Sequence, residues 1–202
     1  MRTTSPFLRL LLPALMLVAP ASAADTYKID SVHSEVGFKI RHLVAKTSGR
    51  FTAFRGTITV DSTDLSKSSV EITIDATSIN TDNANRDADL RGEKFFDVAK
   101  YPTITFKSTA VKETSKGKLE ITGDFTLHGV TKRISFPITS LGTIPGMRPG
   151  STVIGFGDGA LKLNRHDYGV STMKGVLGDD VDISLDVEAV KQAPEALATP
   201  KK

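Results

Sequence analysis

Most of the chain alternates apolar and polar residues with a period of two. In DVDISLDVEAV (180–190), every second residue from Val181 to Val187 is apolar, and the residues between them are polar. One apolar and one polar side is typical of half-buried antiparallel β-strands. Such stretches, of which 152–164 is the least regular, lie at 35–42, 54–61, 69–76, 102–108, 118–129, 132–138, 152–164 and 180–190.

About eight sequential strands of this kind predict an all-β domain. Antiparallel strands with one apolar face either close into an up-and-down barrel or split into a sandwich. Lys, Glu and Asp crowd the polar rows, so we expect the apolar rows to face inward. The interior of a barrel with about eight strands is either filled by side chains or just wide enough for one slender ligand.

One stretch, RDADLRGEKFFDVAKYPTITF (86–106), interrupts the alternation with a helical pattern. Asp82 or Asn83 can cap a helix over residues 84–90, and Gly92 is a natural end for it. Charged residues cover most of this helix, so we do not expect it in the core.

Phe95 and Phe96 follow the predicted helix directly. Two adjacent aromatic side chains in a loop need an apolar surface to contact. The segment 82–97 is therefore expected to form a strap across one end of the barrel. The sequence leaves open whether the strap gates the interior or seals it.

The N-terminal residues have the features of a secretory signal peptide. Arg2 and Arg9 give a basic start, residues 10–19 are mainly apolar, and Ala-Ser-Ala at 21–23 fits a cleavage site. The apolar run is too short for a stable membrane span. The predicted organisation is a cleaved signal peptide at 1–23, a barrel domain at 24–190 and a disordered tail at 191–202.

The charge and the cysteine content of the chain limit which classes of function it supports. The chain has 26 Lys and Arg against 23 Asp and Glu; without Arg2 and Arg9 it has 24 against 23, a net charge of +1. This balance gives no argument for binding to nucleic acid or to anionic membranes. The chain has no cysteine, and a domain of this size does not need disulfides.

Four histidines, His33, His42, His128 and His166, are the candidates for metal or catalytic chemistry. Their spacing does not match that of metal ligands, and no metal site is predicted. His42 continues the inward row of its strand and could meet a ligand head group. His33 and His128 are expected to brace turns, and His166 is expected to be exposed.

No motif for a nucleophile or a phosphate loop is present. The chain lacks a G-x-S-x-G elbow. GFGDG (155–159) lies within a strand pattern and is interpreted as a glycine bulge that lets a barrel strand bend.

Several blocks resemble the YceI-like family of bacterial periplasmic lipid-binding proteins. They are IDSVHSEVGFKIRH, GRFTAFRGTITVD, ITGDFTLHGVTKRISFPI, LNRHDYGV and the long block that contains RDADLRGEKFFDVAKYPT. The resemblance runs from about Tyr27 to Ala189. LNRHDYG departs from the family's INRxDFG at Leu163 and Tyr168, which could change the ligand that fits.

The resemblance implies a lipocalin-like antiparallel barrel that holds a long isoprenoid or related amphiphile in a hydrophobic tunnel, without a cofactor and without established catalysis. It also implies a periplasmic location. The predicted cavity wall comprises Phe38, Ile40, Phe54, Ile72, Ile74, Phe95, Phe96, Phe106, Ile121, Phe125, Phe136, Ile183 and Leu185.

Candidates to hold a ligand head group near the mouth are His42, Arg86, Arg91 and Arg165, because guanidinium groups bind anionic oxygens in a bidentate manner. Taken singly, each arginine could instead form a surface salt bridge, for instance Arg86 with a nearby Asp. Some of the predicted wall residues could equally belong to a solid core.

Two other functions stay open at this stage. The barrel could be filled by side chains and act through its surface as a structural or stress-response module. A weaker alternative is an enzyme that acts on isoprenoid precursors. The sequence also leaves a homodimer open.

Overall fold

The computed structural model describes residues 24–193. The predicted signal peptide and residues 194–202 of the predicted tail lie outside the described residues. Within them, eleven β-strands form one sheet, accompanied by one α-helix. The elements are Asp25–Ile29 (β1), Glu35–His42 (β2), Ala45–Phe51 (β3), Phe54–Val60 (β4), Ser69–Asp75 (β5), Ile79–Asn80 (β6), Ala84–Arg91 (α1), Thr103–Ser115 (β7), Lys118–Leu127 (β8), Val130–Pro145 (β9), Thr152–Asn164 (β10) and Leu177–Lys191 (β11).

The sheet closes into an antiparallel eight-stranded barrel. Its strands follow in the order β1-β4-β5-β7-β8-β9-β10-β11, and β1 pairs with β11 to close the ring. Strands β2, β3 and β6 extend the wall at one end, since β2 pairs with β11, β3 with β2, and β6 with β3. This architecture confirms the predicted all-β fold class.

Each of the eight alternating stretches contains a strand, whereas β1, β3 and β6 were not predicted. Strand β6 has only two residues, too few to show a period. In β3, the inward row of Thr47, Gly49 and Phe51 contains one large apolar residue. Gly49 is required there, because a Cβ atom at this position would lie 2.3 Å from the ring of Phe38.

The GFGDG stretch forms an irregularity in β10, as predicted. The register shifts against β9 between Gly155 and Phe156, and against β11 between Phe156 and Gly159. Asp158 has φ 56°, a conformation that Asp tolerates better than most residues. The bulge lets β10 bend around the barrel.

The predicted helix is present with the predicted caps. Asn83 is the N-cap of α1, and its side-chain oxygen accepts a hydrogen bond of 3.0 Å from the backbone N–H of Arg86. Gly92 is the C-cap. The helix and the loop that follows bridge β6 and β7 and cover one end of the barrel wall, as expected of a strap.

The charged residues of the strap have a different role from the predicted one. Asp87 is buried, and its Oδ1 accepts hydrogen bonds from the backbone N–H of Thr81 at 2.9 Å and from its hydroxyl at 2.5 Å. Arg86 donates to the hydroxyl and carbonyl oxygens of Thr81 at 2.7 and 2.6 Å. The alternative of a surface salt bridge between Arg86 and an Asp is therefore wrong.

Replacing Asp87 with Ala is expected to lower the free energy of unfolding by about 1–3 kcal/mol, because the buried Thr81 N–H and hydroxyl lose their acceptor. Asp89→Ala, which removes an exposed carboxylate from the same helix, should change it by less than about 0.5 kcal/mol. Urea unfolding of both variants measures the difference. Equal effects would contradict a strap fixed by Asp87.

Candidate functional site

A cavity with a volume of about 370 Å³ lies beneath the strap. We call it the strap cavity. Its wall combines inward residues of β2, β3 and β11 with residues of α1 and the following loop. Phe38, Phe95, Phe96 and Ile183 are among its apolar lining residues. Phe96 also meets Phe51 edge to face, with ring centroids 5.9 Å apart, so the strap is packed onto the barrel.

A second cavity, the distal cavity, lies towards the opposite end of the barrel and has a volume of about 180 Å³. Its outer end is lined by Leu65 and Ser68 of the β4–β5 connection, Ser69 at the start of β5 and Gly117 of the β7–β8 turn. The remaining wall is mainly aliphatic and aromatic.

A thin partition separates the two cavities. Among the described residues, none lines both. On β11, Ile183 faces the strap cavity, and Leu185, the next inward residue, faces the distal cavity. Four side chains, those of Val70, Phe125, Phe156 and Leu185, each pack against both clusters of buried apolar residues. Phe125 lines the strap cavity, whereas Phe156 and Leu185 line the distal cavity, and we assign the partition to these three.

The predicted wall residues divide between the cavities and the packed core. Phe54 and Ile74 line neither cavity and are buried in the core. The strap cavity is lined by Phe38, Ile40, Phe95, Phe96, Phe125 and Ile183, and the distal cavity by Ile72, Phe106, Ile121, Phe136 and Leu185.

Three of the four predicted head-group residues, His42, Arg86 and Arg165, line the strap cavity. Arg91 does not. Its guanidinium donates to the carbonyl oxygens of Thr77 and Ile79 at 2.6 and 2.8 Å, and so attaches α1 to the barrel wall.

Arg165 is the most unusual polar residue of the strap cavity, because only 4% of its surface is exposed. Its Nε donates to the carbonyl oxygen of Gly178, and its Nη1 donates to those of Val170 and Thr172, each at 2.8 Å. Its Nη2 is buried and has no acceptor among residues 24–193.

Burial lowers the pKa of the Arg165 guanidinium, and the negative charge of Asp179 opposes this effect. The group stays protonated, because arginine is not deprotonated in proteins. Because Nη2 is buried from water-sized molecules, an oxygen of a ligand could accept from it only after neighbouring side chains move.

The other histidines have structural partners. Nδ1 of His128 lies 3.2 Å from the carbonyl oxygen of Tyr168, so His128 braces a turn as expected. His166 was expected to be exposed but is only partly so, since its ring lies 2.8 Å from Asp179 and 2.9 Å from Ser171. The hydrogen bond from His166 lowers the pKa of Asp179.

One group of possible metal ligands, Asp30, His33 and Glu188, lies on the outer surface, with ligand atoms within 4.8 Å of one another. Nδ1 of His33 lies 3.0 Å from Oδ2 of Asp30. This hydrogen bond raises the pKa of His33. Because a metal requires the neutral ring, the geometry favours an ion pair over a metal site.

Sequence reasoning missed the part of the wall contributed by the β10–β11 connection. Residues 165–176 form a short 3-10 helix and turns without an alternating pattern, so no periodic signal marks them. Missed lining residues include Thr47, Leu163, Tyr168, Val170, Met173 and Leu177.

A closed antiparallel barrel with stacked apolar cavities has the fold of a binding protein. Sequence comparison places it within a family: a model of the YceI-like domain matches residues 27–189. The chain belongs to the YceI-like family. None of the helices among residues 24–193 is long and apolar enough to cross a membrane.

Known proteins of this group are similar along nearly their whole length. Protein YceI of Escherichia coli O157:H7 is 39% identical over 184 residues, which cover 89% of this chain and 94% of that protein. The crystal structure of the Campylobacter jejuni YceI protein has 31% identity and a TM-score of 0.66, and covers 81% of this chain and 96% of that one. A polyisoprenoid binding domain from Saccharophagus degradans has 18% identity and a TM-score of 0.61, with 83% and 98% covered.

Arg165→Met is expected to lower the free energy of unfolding by about 2–4 kcal/mol, because three buried carbonyl oxygens lose a charged donor. Arg133→Met removes an exposed arginine that is paired with Asp124 and should cost less than about 1 kcal/mol. Urea unfolding gives the two values. Hydrogen exchange should also accelerate at 170–178 in the Arg165 variant alone, and unchanged exchange there would contradict the bracing role.

Proposed function

We propose that this protein binds and carries a long-chain isoprenoid lipid, or a similar amphiphile, in the periplasm. The observation that carries the proposal is the pair of apolar cavities stacked along the barrel axis beneath the strap. The fold shared with a polyisoprenoid binding domain supports the same ligand class. Export through the signal peptide at 1–23 is part of the proposal.

The apolar wall of the strap cavity favours a bound ligand over a water-filled interior. Withdrawing apolar surface from water gains about 25 cal/mol per Å², and most of the residues that line this cavity are apolar. The unfilled volume also argues against the alternative of a barrel filled by side chains.

The shape of the interior favours an elongated ligand. The inward row of β11 lines the strap cavity at Leu177 and reaches the distal cavity at Val187. With a rise of about 3.3 Å per residue and a strand tilt of about 40°, this row covers about 25 Å along the barrel axis. A long tail could occupy both cavities if the partition side chains moved aside.

The polar groups favour a head group at the strap end. Arg165 supplies an unpaired, buried Nη2 donor, and Arg86 and His42 line the same cavity. A diphosphate or carbonyl oxygen could accept from these groups. An apolar cavity with these donor groups at one end is sufficient for a binding protein without catalysis. Asp89 and Thr47 line the same cavity as His42, but among residues 24–193 no hydrogen bond joins the His42 ring to either of them, so no observation favours the enzyme alternative.

Native mass spectrometry of the mature protein from the periplasm is expected to show extra mass that organic solvent extracts. Ile183→Trp, which fills the strap cavity, should reduce the lipid-bound fraction at least about tenfold, because the tail loses its apolar site. Ser184→Trp places the same side chain on the outer face of β11 and is the matched control.

A bare polypeptide in every preparation would contradict the carrier function. Equal retention by the Ile183→Trp and Ser184→Trp variants, with both folded by circular dichroism, would mean that the ligand does not occupy the strap cavity.

The partition predicts a limit on tail length. Phe125→Leu should open a passage between the cavities and increase the affinity for tails too long for the strap cavity, relative to short tails, by about tenfold. Phe54→Leu is the control, since Phe54 is a core residue that lines neither cavity. Competition between polyprenols of different lengths, read by mass spectrometry, measures the ratio. An unchanged ratio in the Phe125 variant would contradict the partition's role.

A further inference from the structure

Three large apolar side chains are exposed at the strap-cavity end of the barrel. Leu43 and Val44 form the β2–β3 turn and are 54% and 100% exposed, and Met173 of the β10–β11 connection is 45% exposed. We call these three residues the rim patch. Single exposed apolar residues are common, but a cluster at the edge of a cavity indicates an interaction site.

The backbone conformation at two of these positions does not favour large apolar residues. Among residues 24–193, six non-glycine residues have positive φ, and four of them are Asp or His, which tolerate this conformation. The other two are Leu43, at 51°, and Met173, at 58°. Asn or Gly would cost less at both positions, in conformation and in solvation.

The two parts of the rim patch form one surface. The backbone N–H of Leu43 donates to the carbonyl oxygen of Val176 at 2.8 Å, and Nη1 of Arg41 donates to the carbonyl oxygen of Leu43 at 2.7 Å. The first of these bonds holds the turn against the 173–176 loop, and the second is local to the turn. Met173 also lines the strap cavity, so the rim patch is continuous with its wall.

Two exposed cations, Arg41 and Lys174, adjoin the rim patch in the chain. Among the described ion pairs, neither has a carboxylate partner. Asp182 is paired with Lys46 and Lys162, and Asp179 contacts His166 and lies near Lys174, while the exposed Asp180 forms no ion pair in residues 24–193. Apolar side chains flanked by cations match the layered chemistry of an anionic bilayer surface, with phosphates outside and acyl chains beneath.

We propose that the rim patch docks the protein on the surface of an anionic lipid bilayer, with the strap cavity facing the membrane. The inference rests on the proposed carrier function, which requires the lipid to pass between bilayer and cavity. Docking by the rim patch shortens that passage, because Met173 belongs to both surfaces.

The opposite end of the barrel offers a comparison within the same chain. Ile144 and Met147, at the β9–β10 turn, are 64% and 99% exposed. Neither lines the distal cavity. If exposure of apolar residues alone caused membrane contact, both ends would bind.

Single-tryptophan reporters can test which end meets the bilayer, because the chain has no tryptophan. Val44→Trp and Met147→Trp place the same reporter at two almost fully exposed positions. With phosphatidylglycerol vesicles, the Val44→Trp reporter should shift its emission to the blue and be quenched by brominated acyl chains. The Met147→Trp reporter should not respond, and neutral phosphatidylcholine vesicles should give a weaker response at position 44.

A second variant tests the native side chains. Leu43→Asn with Val44→Ser should weaken binding to phosphatidylglycerol vesicles at least about tenfold, while folding is maintained because Asn tolerates positive φ. Met147→Ser is the matched control and should bind as the parent protein does.

No response at position 44, or an equal response at position 147, would overturn the docking surface. The vesicle assay does not depend on a retained ligand, so the two proposals fail separately. Lipid retained without vesicle contact would support the carrier function and contradict membrane docking by the rim patch. Vesicle contact without any retained lipid would support docking and contradict the carrier function.

Discussion

Strand β11 pairs along one edge with β10, and along the other with β2 and then with β1. This double pairing closes the ring and fixes which residues of every other strand point inward, because a slip of one residue would turn each side chain to the opposite face. The backbone hydrogen bonds of the wall are thus satisfied between strands, without help from the interior. A barrel of this kind can leave part of its inside unfilled, whereas a helical bundle depends on side-chain packing to hold its elements together.

The guanidinium groups at the strap-cavity end follow a consistent pattern. Arg86, Arg91 and Arg165 all donate to backbone carbonyl oxygens, which compensates in part for the loss of water. Arg86 and Arg91 fix α1, and Arg165 fixes the β10–β11 connection. The irregular segments of the barrel are therefore held by guanidinium groups, and the same groups lie next to the cavity. Of these three arginines, only Arg165 keeps a buried nitrogen without a partner in the described part of the chain.

Much of the fold could be predicted from local pattern, because alternation reports the pleat directly. The stretches around Phe38, Phe106 and Ile183 gave strands with the predicted inward rows, and α1 began and ended at the predicted caps. The position of each inward-facing residue along the barrel axis could not be predicted from the sequence. It depends on strand tilt and register, so neither the core positions of Phe54 and Ile74 nor the partition at Phe125 had a sequence signal. The roles of Arg91 and Asp87 depend on contacts between the strap and β6, which a local pattern does not encode.

The unfilled interior links binding to stability. A ligand that occupies the strap cavity removes the cost of empty volume, and it stabilises the folded state further as its concentration exceeds its dissociation constant. The partition makes the stabilisation depend on ligand length. A short ligand fills the strap cavity alone, whereas a longer one must displace Phe125 and Leu185 before it gains contacts in the distal cavity. Displacing these two side chains costs packing contacts with both apolar clusters. Selectivity for tail length then follows from whether the added contacts exceed that cost, and requires no specific polar recognition along the tail.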